Sequence, residues 1–330
     1  MHTYYMEEFH ISIAIICYNQ SEFIAKAIDS VLSQKHSYKY EIVISDDAST
    51  DNTRSILIKY QKKYPDLIKL ILHNKNIGPT NNLQGLLLTC KGKYVAILEG
   101  DDFWTYNFKI KRQVEFLDSN PGYIACTHRY QIVDEKGSKI SAEYIGIGRP
   151  FSGEYRLEHF ENYIYFGLLS SLVFRNLFLQ NHSLCDIVKT AHPFIGDITI
   201  NLLLVLNGRI FVMDDNMAAH RIIVRKNGSN FKSTISGKNQ IKDRLLYLEK
   251  LEQFAWANYN IKLKHTPRLE NSLVWSILYL IKYPNKHNWS VLVFVYKLVD
   301  DKKKFVKYIF ANLNKLPKFV YFQIAKFLKK

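Results

Sequence analysis

The hydrophobic residues of the first 125 positions follow two alternating spacings. Short continuous apolar runs rich in isoleucine and valine predict strands that are buried on both faces. Between these runs, apolar residues recur every three or four positions, which predicts helices that cover the sheet. The predicted strands are 11–17, 41–45, 67–72 and 94–98, and the predicted helices between them are 21–34, 53–64 and 81–90. This β-α-β-α-β-α-β order indicates a mostly parallel sheet with helices on both faces.

The pattern becomes looser after Trp104. The predicted elements are a helix (108–119), a strand (123–133), a glycine-rich loop (137–153), a short strand (170–174), an apolar helix (198–206) and a strand (209–213). A polar segment with Gly and Ser, 226–239, is the best candidate for a linker. Helical spacing returns in 241–254, 269–281 and 289–299. We therefore predict an α/β domain at 1–225 and a helical region at 226–330.

Charge separates the same two parts of the chain. The formal net charge is +15; residues 1–225 carry 24 basic and 24 acidic side chains, whereas residues 226–330 carry 21 and 6. Residues 302–330 hold nine lysines and no acidic residue, interleaved with aromatic and aliphatic side chains. Basic amphipathic segments of this kind bind anionic membrane surfaces, although a helix pair whose lysine stems cover apolar surface has the same pattern. The chain lacks a recognised nucleic-acid-binding module, so no nucleic-acid partner is expected.

The cysteines and the termini limit the class of protein further. The four cysteines are widely spaced and form no CxxC pair, which argues against a zinc ribbon and fits a reducing compartment. The N-terminal segment lacks the apolar stretch of a secretory signal. The longest apolar run of the last third, 289–296, is far shorter than the roughly 20 residues that a spanning helix needs. These features favour a cytoplasmic protein that is not integral to a membrane.

Polar residues follow each of the first four predicted strands, at the sheet edge where ligands of parallel sheets bind. They are Tyr18 and Asn19 after the first strand, Asp46 and Asp47 after the second, Asn74 and Asn76 after the third, and Glu99, Asp101 and Asp102 after the fourth. Like charges repel, so a purely structural sheet has no reason to collect five carboxylates at one edge. A bound cation, or donor groups of a ligand, would offset this repulsion.

Each acidic group has a functional and a structural interpretation. The carboxylates of 99–102 can hold Mg²⁺ or Mn²⁺, or they can form an acidic turn that caps the next helix. Asp46 and Asp47 can accept hydrogen bonds from a nucleobase or a ribose, or they can belong to the N-cap of helix 53–64. Asp197 can act as a general base, or it can cap the apolar helix that follows it. The chain has no GxGxxG, GxxxxGK[ST] or GxSxG motif in a fitting context, which disfavours a dehydrogenase, a P-loop NTPase and an α/β-hydrolase.

Four segments together resemble the family-2 glycosyltransferases. They are 11–19 (ISIAIICYN), 41–53 (EIVISDDASTDNT), 76–82 (NIGPTNN) and 94–104 (YVAILEGDDFW). The resemblance covers about residues 9–225 and implies the GT-A nucleotide-diphosphosugar transferase fold, an α/β fold with a mixed sheet. It also implies inverting transfer of a sugar.

The resemblance implies a role for individual residues. The implied donor-binding residues are Tyr18, Asn19, Asp46, Asp47, Asn76, Asn82, Glu99 and Asp101, the implied metal ligands are Asp101 and Asp102, and the implied catalytic base is Asp197. The family's DxD motif corresponds here to Glu99-Gly100-Asp101, with a longer carboxylate in the first position. Asn81 stands where relatives often have arginine. The late Tyr-Arg-x-His segment of relatives corresponds to His220-Arg221-Ile222-Ile223, which keeps Arg221 but lacks the final histidine.

The expected activity follows from the resemblance. A divalent ion, Mg²⁺ or Mn²⁺, assists transfer of a sugar from a nucleotide sugar to a hydroxyl of a glycan or lipid-linked acceptor during surface-polysaccharide synthesis. UDP is the first choice of nucleotide, and dTDP and GDP stay open. We expect a peripheral protein at the inner face of the plasma membrane, held through 302–330. Two alternatives are a sugar nucleotidyltransferase, which should carry a Gly-rich basic phosphate loop after the first strand, and a non-catalytic nucleotide-sugar or nucleic-acid-binding protein.

Overall fold

The computed structural model of the chain describes residues 9–140, 151–162, 164, 166–222, 240–264, 276 and 286–298. The chain divides into two compact units, Met1–Phe160 with Ile164–Asn230, and Glu161–Tyr163 with Phe231–Lys330. The predicted linker at 226–239 and the predicted boundary after residue 225 lie outside the described residues, and both stay predictions.

The first unit is built on one mixed sheet of ten strands. The strands are β1 (Phe9–Cys17), β2 (Tyr40–Asp46), β3 (Ile68–Leu72), β4 (Gly92–Glu99), β5 (Phe103–Trp104), β6 (Tyr123–Val133), β7 (Lys139–Ile140), β8 (Gly153–Tyr155), β9 (Val173–Arg175) and β10 (Arg209–Arg221). Their order is β3-β2-β1-β4-β9-β6-β10-β5, with β7 beside β6 and β8 beside β10. Strands β1 to β4 are mutually parallel, and β9 runs antiparallel between β4 and β6. The expected mixed α/β sheet is confirmed.

Helices cover the sheet where the spacing of apolar residues predicts them. The helices of the first unit are α1 (Ile24–Leu32), α2 (Thr53–Lys63), α3 (Pro79–Thr89), α4 (Lys109–Ser119), α5 (Leu157–Glu161), α6 (Asp186–Thr190) and α7 (Asp197–Asn207). On α1 the buried residues Ile24, Ala27, Ile28 and Val31 recur every three or four positions and pack in the main core. This core also takes in alternate residues of β1, β2 and β4. The apolar residues between them are buried as well, so both faces of these strands are covered.

Three predicted elements differ from the structure in extent. The predicted strand 170–174 is a 3₁₀ helix (Leu169–Ser171) followed by β9. The predicted strand 209–213 continues to Arg221. Its pairing with β6 is irregular around the polar residues 214–216, and regular pairing resumes after them. The predicted loop 137–153 contains the short strand β7 and the first residue of β8, and residues 141–150 lie outside the described part.

The second unit is helical in its described part. Its helices are α8 (Gln240–Tyr259) and α9 (Lys286–Leu298), which contact each other. The predicted helix 269–281 and the basic segment 302–330 lie outside the described residues, apart from Ser276. Among the helices described, none combines the length and the apolarity that crossing a membrane requires.

Candidate active site

The first four strands end side by side and form one rim of the sheet, which we call the carboxyl-end rim. In the register of the parallel strands, Cys17 of β1 lies opposite Asp46 of β2, and Ile16 of β1 lies opposite Glu99 of β4. Asp46 and Glu99 therefore flank the end of β1 on its two sides. The expected convergence of polar residues at one edge is confirmed for these backbone positions.

The acidic turn, Glu99–Asp102, leads from β4 to β5, and β5 pairs with β10 through Trp104 and Ala218. This pairing brings the turn to the end of β10. Asp102 is buried there, and its carboxylate accepts hydrogen bonds from three donors. These are Ser170 Oγ at 2.7 Å, the backbone N–H of Arg221 at 2.9 Å and Nδ1 of His220 at 3.1 Å. Both oxygens of Asp102 therefore already accept hydrogen bonds from protein groups, which disfavours its predicted role as a direct metal ligand.

Glu99 and Asp101 differ from Asp102, since among the described residues no other side chain is found donating to their carboxylates; Asp101 accepts a hydrogen bond from its own backbone N–H. Burial raises the pKa of Glu99, and the charges of Asp102 and Asp101 raise it further. Burial and the charge of Asp102 likewise raise the pKa of Asp101. The charges of His220, and for Asp101 also of Arg221, lower these pKa values without cancelling the effect of burial and of the neighbouring carboxylates.

Asp197 begins α7 and is exposed. The N-cap of α7 is Gly196, and no side chain makes a capping hydrogen bond there, so the alternative interpretation of Asp197 as an N-cap is wrong. Its charge makes the smallest of the contributions that raise the pKa of Glu99, after burial and the charges of Asp102 and Asp101. The segment before α7 is tied to the start of α3, where Thr80 Oγ1 donates to the carbonyl oxygen of Pro193 at 2.9 Å.

The acidic pair after β2 is buried and fully hydrogen-bonded. Asp46 accepts from Arg54 Nε at 2.7 Å and from the backbone N–H of Ser49 at 3.2 Å, and its side chain is 0% exposed. Asp47 accepts from the backbone N–H groups of Ile77 at 2.7 Å and of residue 78 at 3.0 Å. Both carboxylates shape the loops of the rim. Their burial does not support the predicted direct contact with a nucleobase or ribose.

The remaining predicted donor-binding residues fall into two groups. Tyr18, Asn19 and Asn76 are exposed at the rim, and Tyr18 keeps 44% of its surface open. Asn19 is held by the loop after β2, since its Oδ1 accepts the backbone N–H of Thr50 at 2.8 Å. Asn82 is buried, and its Oδ1 accepts from Ser45 Oγ. Asn82 therefore lies behind the rim, which does not support its predicted contact with the donor.

Two further residues support the acidic turn: His220 near the end of β10, and Ser170 in the 3₁₀ helix Leu169–Ser171. His220 lies among the carboxylates of the acidic turn. Burial would lower its pKa, but the hydrogen bond to Asp102 and the charges of Asp102, Glu99 and Asp101 raise it. The Ser170 hydroxyl bridges two residues of the acidic turn. It donates to Asp102 Oδ2 at 2.7 Å, and its Oγ accepts the backbone N–H of Glu99 at 3.1 Å. The only sequence signal for His220 was its position beside Arg221.

The acidic turn fits a divalent cation that takes few ligands from protein. Carboxylate oxygens are suitable donors for Mg²⁺ or Mn²⁺. Burial and the charge of Asp102 raise the pKa values of both Glu99 and Asp101, and a bound cation would offset this effect. Within the described ranges, no three His, Cys, Asp or Glu side chains are arranged to hold a metal ion by themselves. Mg²⁺ commonly binds through one or two carboxylates and completes its shell with water and substrate phosphates, and Glu99 with Asp101 match that mode.

The family model "Glycosyl transferase family 2" matches residues 12–179, just over half of the chain. The chain belongs to this family. The matched range begins within β1 and includes β2 to β4 and the acidic turn.

Relatives in other organisms match in part. An uncharacterized protein of Mycobacterium tuberculosis is 33% identical over 220 residues, which span 64% of this chain and 58% of that protein. An uncharacterized glycosyltransferase of a Nostoc species is 36% identical over 130 residues, 39% of each chain. The aligned part of this chain thus spans less than two thirds of the length of either relative.

Solved structures share the fold. S. aureus TarS 1–349 in complex with UDP-GlcNAc superposes with a TM-score of 0.52 at 17% identity, covering 89% of this chain and 91% of that chain. Mannosyltransferase PcManGT from Pyrobaculum calidifontis, in complex with GDP-Man and Mn²⁺, gives a TM-score of 0.51 at 14% identity, covering 91% and 83%. These likenesses confirm the expected GT-A fold.

Proposed function

We propose that the chain transfers a sugar from a nucleoside-diphosphate donor to a hydroxyl group of an acceptor, with inversion at the anomeric carbon. One observation carries the proposal: the carboxylates of the acidic turn lie at the carboxyl-end rim, where Glu99 is opposite the end of β1 and the exposed Tyr18 and Asn19 follow. Family membership supplies the reaction class. Asp197 is the proposed base, since its carboxylate is exposed at the start of α7 and its charge acts on Glu99.

The donor is a nucleotide sugar that lies along the rim. The accessible residues Tyr18, Asn19 and Asn76 are the direct contacts, and the buried Asp46 and Asp47 act by shaping the loops around them. UDP is the first candidate nucleotide, because S. aureus TarS binds UDP-GlcNAc. GDP is the second, because the Pyrobaculum mannosyltransferase binds GDP-Man.

A divalent ion, Mg²⁺ or Mn²⁺, would be held by Asp101 with Glu99. When bound, such an ion stabilises the negative charge of the departing diphosphate. Asp102 keeps the turn in place through its bonds to Ser170 and the backbone of β10.

Asp197 accepts the proton of the attacking acceptor hydroxyl. As the acceptor oxygen forms its bond to the anomeric carbon, the bond from that carbon to the diphosphate oxygen breaks. The proton moves to the Asp197 carboxylate, and the electron pair of the broken bond leaves with the diphosphate. Because the attack comes from the face opposite the leaving group, one displacement inverts the anomeric centre.

The acceptor and the cellular setting belong to the same proposal. A glycan or lipid-linked saccharide is the acceptor, and the process is surface-polysaccharide synthesis at the inner face of the plasma membrane. The lysine-rich residues 302–330 would bind the anionic lipid surface.

The test uses the full chain with UDP-, GDP- and dTDP-sugars in the presence of Mn²⁺. Release of the nucleoside diphosphate is measured, and nucleotide binding is followed by calorimetry. We expect Asp197→Asn to lower turnover by about 100-fold or more, with nucleotide binding unchanged, because a general base contributes in this range. The matched control is Asp66→Asn, an exposed aspartate just before β3, at the opposite end of the strand from the rim.

Unchanged turnover in Asp197→Asn would remove this residue from the base role. Absence of turnover and of nucleotide binding in the wild-type chain with all three sugar nucleotides would overturn the proposed function itself.

A further inference from the structure

The 3₁₀ helix Leu169–Ser171 is buried and hydrogen-bonds to the start of the acidic turn. It contacts β4, β6 and β10. The Ser170 hydroxyl accepts the backbone N–H of Glu99 at 3.1 Å. Just after the helix, the carbonyl oxygen of Leu172 accepts the backbone N–H of Ile97 in β4 at 3.4 Å. The position of Glu99 at the rim therefore depends on where this short helix lies.

Gln113 of α4 reaches the 3₁₀ helix through the core. It is completely buried, and its neighbours Ile110 and Val114 belong to the main core. Its amide nitrogen Nε2 donates to the carbonyl oxygen of Ser171 and to that of Cys126 in β6, both at 3.0 Å. An amide nitrogen carries two hydrogens, so both are used. Gln113 therefore ties the 3₁₀ helix to β6.

This tie lies where the pairing of the sheet stops. The backbone pairing of β6 with β9 ends at Cys126 and Val173. The residues before Val173 leave the sheet and form the 3₁₀ helix. Gln113 bonds to Cys126, the last residue of β6 in this pairing, and to Ser171, two residues before β9 begins. Its side chain thus extends the connection between the two segments beyond the end of their backbone pairing.

Packing alone does not explain a glutamine at this position. Gln113 Oε1 is buried, and among the residues that the structure describes it has no hydrogen-bond partner. Burying an unpaired amide oxygen costs free energy, and an apolar side chain of similar length would avoid that cost. The two bonds from Nε2 are what distinguishes the glutamine from such a side chain.

A second buried side chain holds the same helix. Ser171 Oγ donates to the carbonyl oxygen of Leu168 at 2.7 Å, which uses the single hydrogen of this hydroxyl. Thr127 Oγ1 is therefore the donor in its bond to Ser171 Oγ. Thr127 is completely buried in β6. The 3₁₀ helix is thus attached to β6 directly through Thr127 and through the bridging side chain of Gln113.

We propose that Gln113 is a positioning residue for the acidic turn: it fixes the 3₁₀ helix, and the helix fixes Glu99 through the Ser170 hydroxyl. The inference rests on the proposed function, in which Asp101 with Glu99 would hold a divalent ion. Gln113 does not touch the substrate and acts only through the 3₁₀ helix. Without its two bonds the helix can shift, and Glu99 shifts with it, so that the ion and the diphosphate bind less tightly.

Three variants separate this role from a contribution to packing. Gln113→Met keeps a similar length and volume but removes both donors. Val114→Ala is the matched control, since it truncates the neighbouring core residue on α4 and removes no hydrogen bond to the 3₁₀ helix. Thr127→Val keeps the shape of the side chain but removes the other tie, and it tests the same helix should Gln113→Met fail to fold.

The first measurement is residue-resolved amide hydrogen exchange of the full chain by NMR. The amide of Glu99 reports on its bond to Ser170. The amide of Gly100 is the internal control, because it donates to the carbonyl oxygen of Ile16 at 3.0 Å and not to the 3₁₀ helix. In Gln113→Met we expect exchange at Glu99 to accelerate at least about tenfold relative to Gly100, which is the order expected for one lost hydrogen bond. Thr127→Val should show the same selectivity.

Val114→Ala should instead change the exchange of the two control and reporter amides by the same factor, because it lowers the stability of the whole core.

The second measurement is calorimetric binding of UDP and GDP at increasing Mn²⁺ concentrations. In Gln113→Met the Mn²⁺ concentration for half-maximal nucleotide binding should rise at least about threefold, since part of one hydrogen bond's strength is transmitted to the site. In Val114→Ala it should stay at the wild-type value. Melting temperatures recorded alongside separate this effect from a general loss of stability.

Two kinds of result would overturn the inference in different ways. Equal acceleration at Glu99 and Gly100 in both Gln113→Met and Thr127→Val, or selective acceleration with an unchanged Mn²⁺ dependence, removes the positioning role and leaves the proposed function standing. If the wild-type chain binds neither UDP nor GDP, the proposed function fails, and the role of Gln113 in the site fails with it.

Discussion

Lys109 is a buried cation in the first turn of α4. Its side chain is fully buried, and its Nζ lies 4.2 Å from the centre of the Trp104 ring. Among the residues that the structure describes, no hydrogen-bond partner lies within reach of Nζ. Burial lowers the pKa of Lys109 from 10.5 to about 7. Whenever Lys109 is protonated in the unfolded chain, folding must either bury its charge or release its proton. Both lower the stability of the folded state.

The direction and size of the effect follow from proton linkage. Between pH 7 and pH 10.5 the unfolded chain binds a proton at Lys109 that the folded chain does not, so stability rises with pH in this window. Each pKa unit corresponds to 1.36 kcal/mol, which places the upper limit of the penalty at about 5 kcal/mol. Replacing buried charges by apolar side chains of similar volume has stabilised proteins by about 1–4 kcal/mol. We therefore expect Lys109→Met to raise the free energy of unfolding at pH 7 by about 2–4 kcal/mol.

The assay is urea unfolding of wild type and Lys109→Met at pH 7, 8.5 and 10. The quantity of interest is the difference in unfolding free energy between the two proteins, because titrating groups that do not interact with Lys109 cancel in it; His128 and Cys126 do interact with it. This difference should shrink as the pH rises, since wild type loses its penalty while the variant has none. Lys111→Met is the matched control, because the Lys111 side chain is 50% exposed on the same helix. A difference that does not depend on pH, or a variant less stable than wild type at pH 7, would refute the reasoning.

Three further substitutions test the backbone of the rim and the sheet by urea unfolding. Ala48 has a φ of 59° in the loop after β2, so Ala48→Gly should relieve strain and raise the unfolding free energy by about 1 kcal/mol; a loss of stability would contradict this. Gly92→Ala would place a Cβ 2.4 Å from the backbone nitrogen of Ser12, and we expect a loss of about 3 kcal/mol or more. Its counterpart Gly85→Ala, with no atom within 4 Å of the new Cβ, should gain about 1 kcal/mol from helix propensity, and equal effects of the two would contradict the packing argument.

The parallel half of the fold could be predicted from local pattern. The continuous apolar runs at 11–17 and 94–98 lie within β1 and β4, because strands covered by helices on both sides need apolar residues at every position. The position of Asp46 and Glu99 at one rim follows as well, since parallel strands end at the same edge. The second half was less predictable: β10 continues past its apolar start, and the pairing with β6 that supports this extension comes from residues far away in the chain.

The orientation of each carboxylate could not be predicted in the same way. Asp46 and Asp47 follow a strand at the expected edge, yet both are buried and occupied by protein donors. Asp101 and Asp102 are neighbours in the chain, yet only Asp102 is held by Ser170 and His220. Each outcome depends on donors supplied by other elements.

The sequence by itself determined the order of the elements, the edge at which the acidic residues collect and the family to which they point, because these depend on residue type and on short-range periodicity. Only the tertiary structure decided which carboxylates are buried and hydrogen-bonded to protein donors and which stay accessible. The contact of His220 with Asp102 joins residues 118 positions apart. It forms because β5 pairs with β10 and so brings the acidic turn to the end of that strand. No local sequence pattern predicts that pairing, because its hydrogen bonds are made by backbone groups and do not depend on residue type.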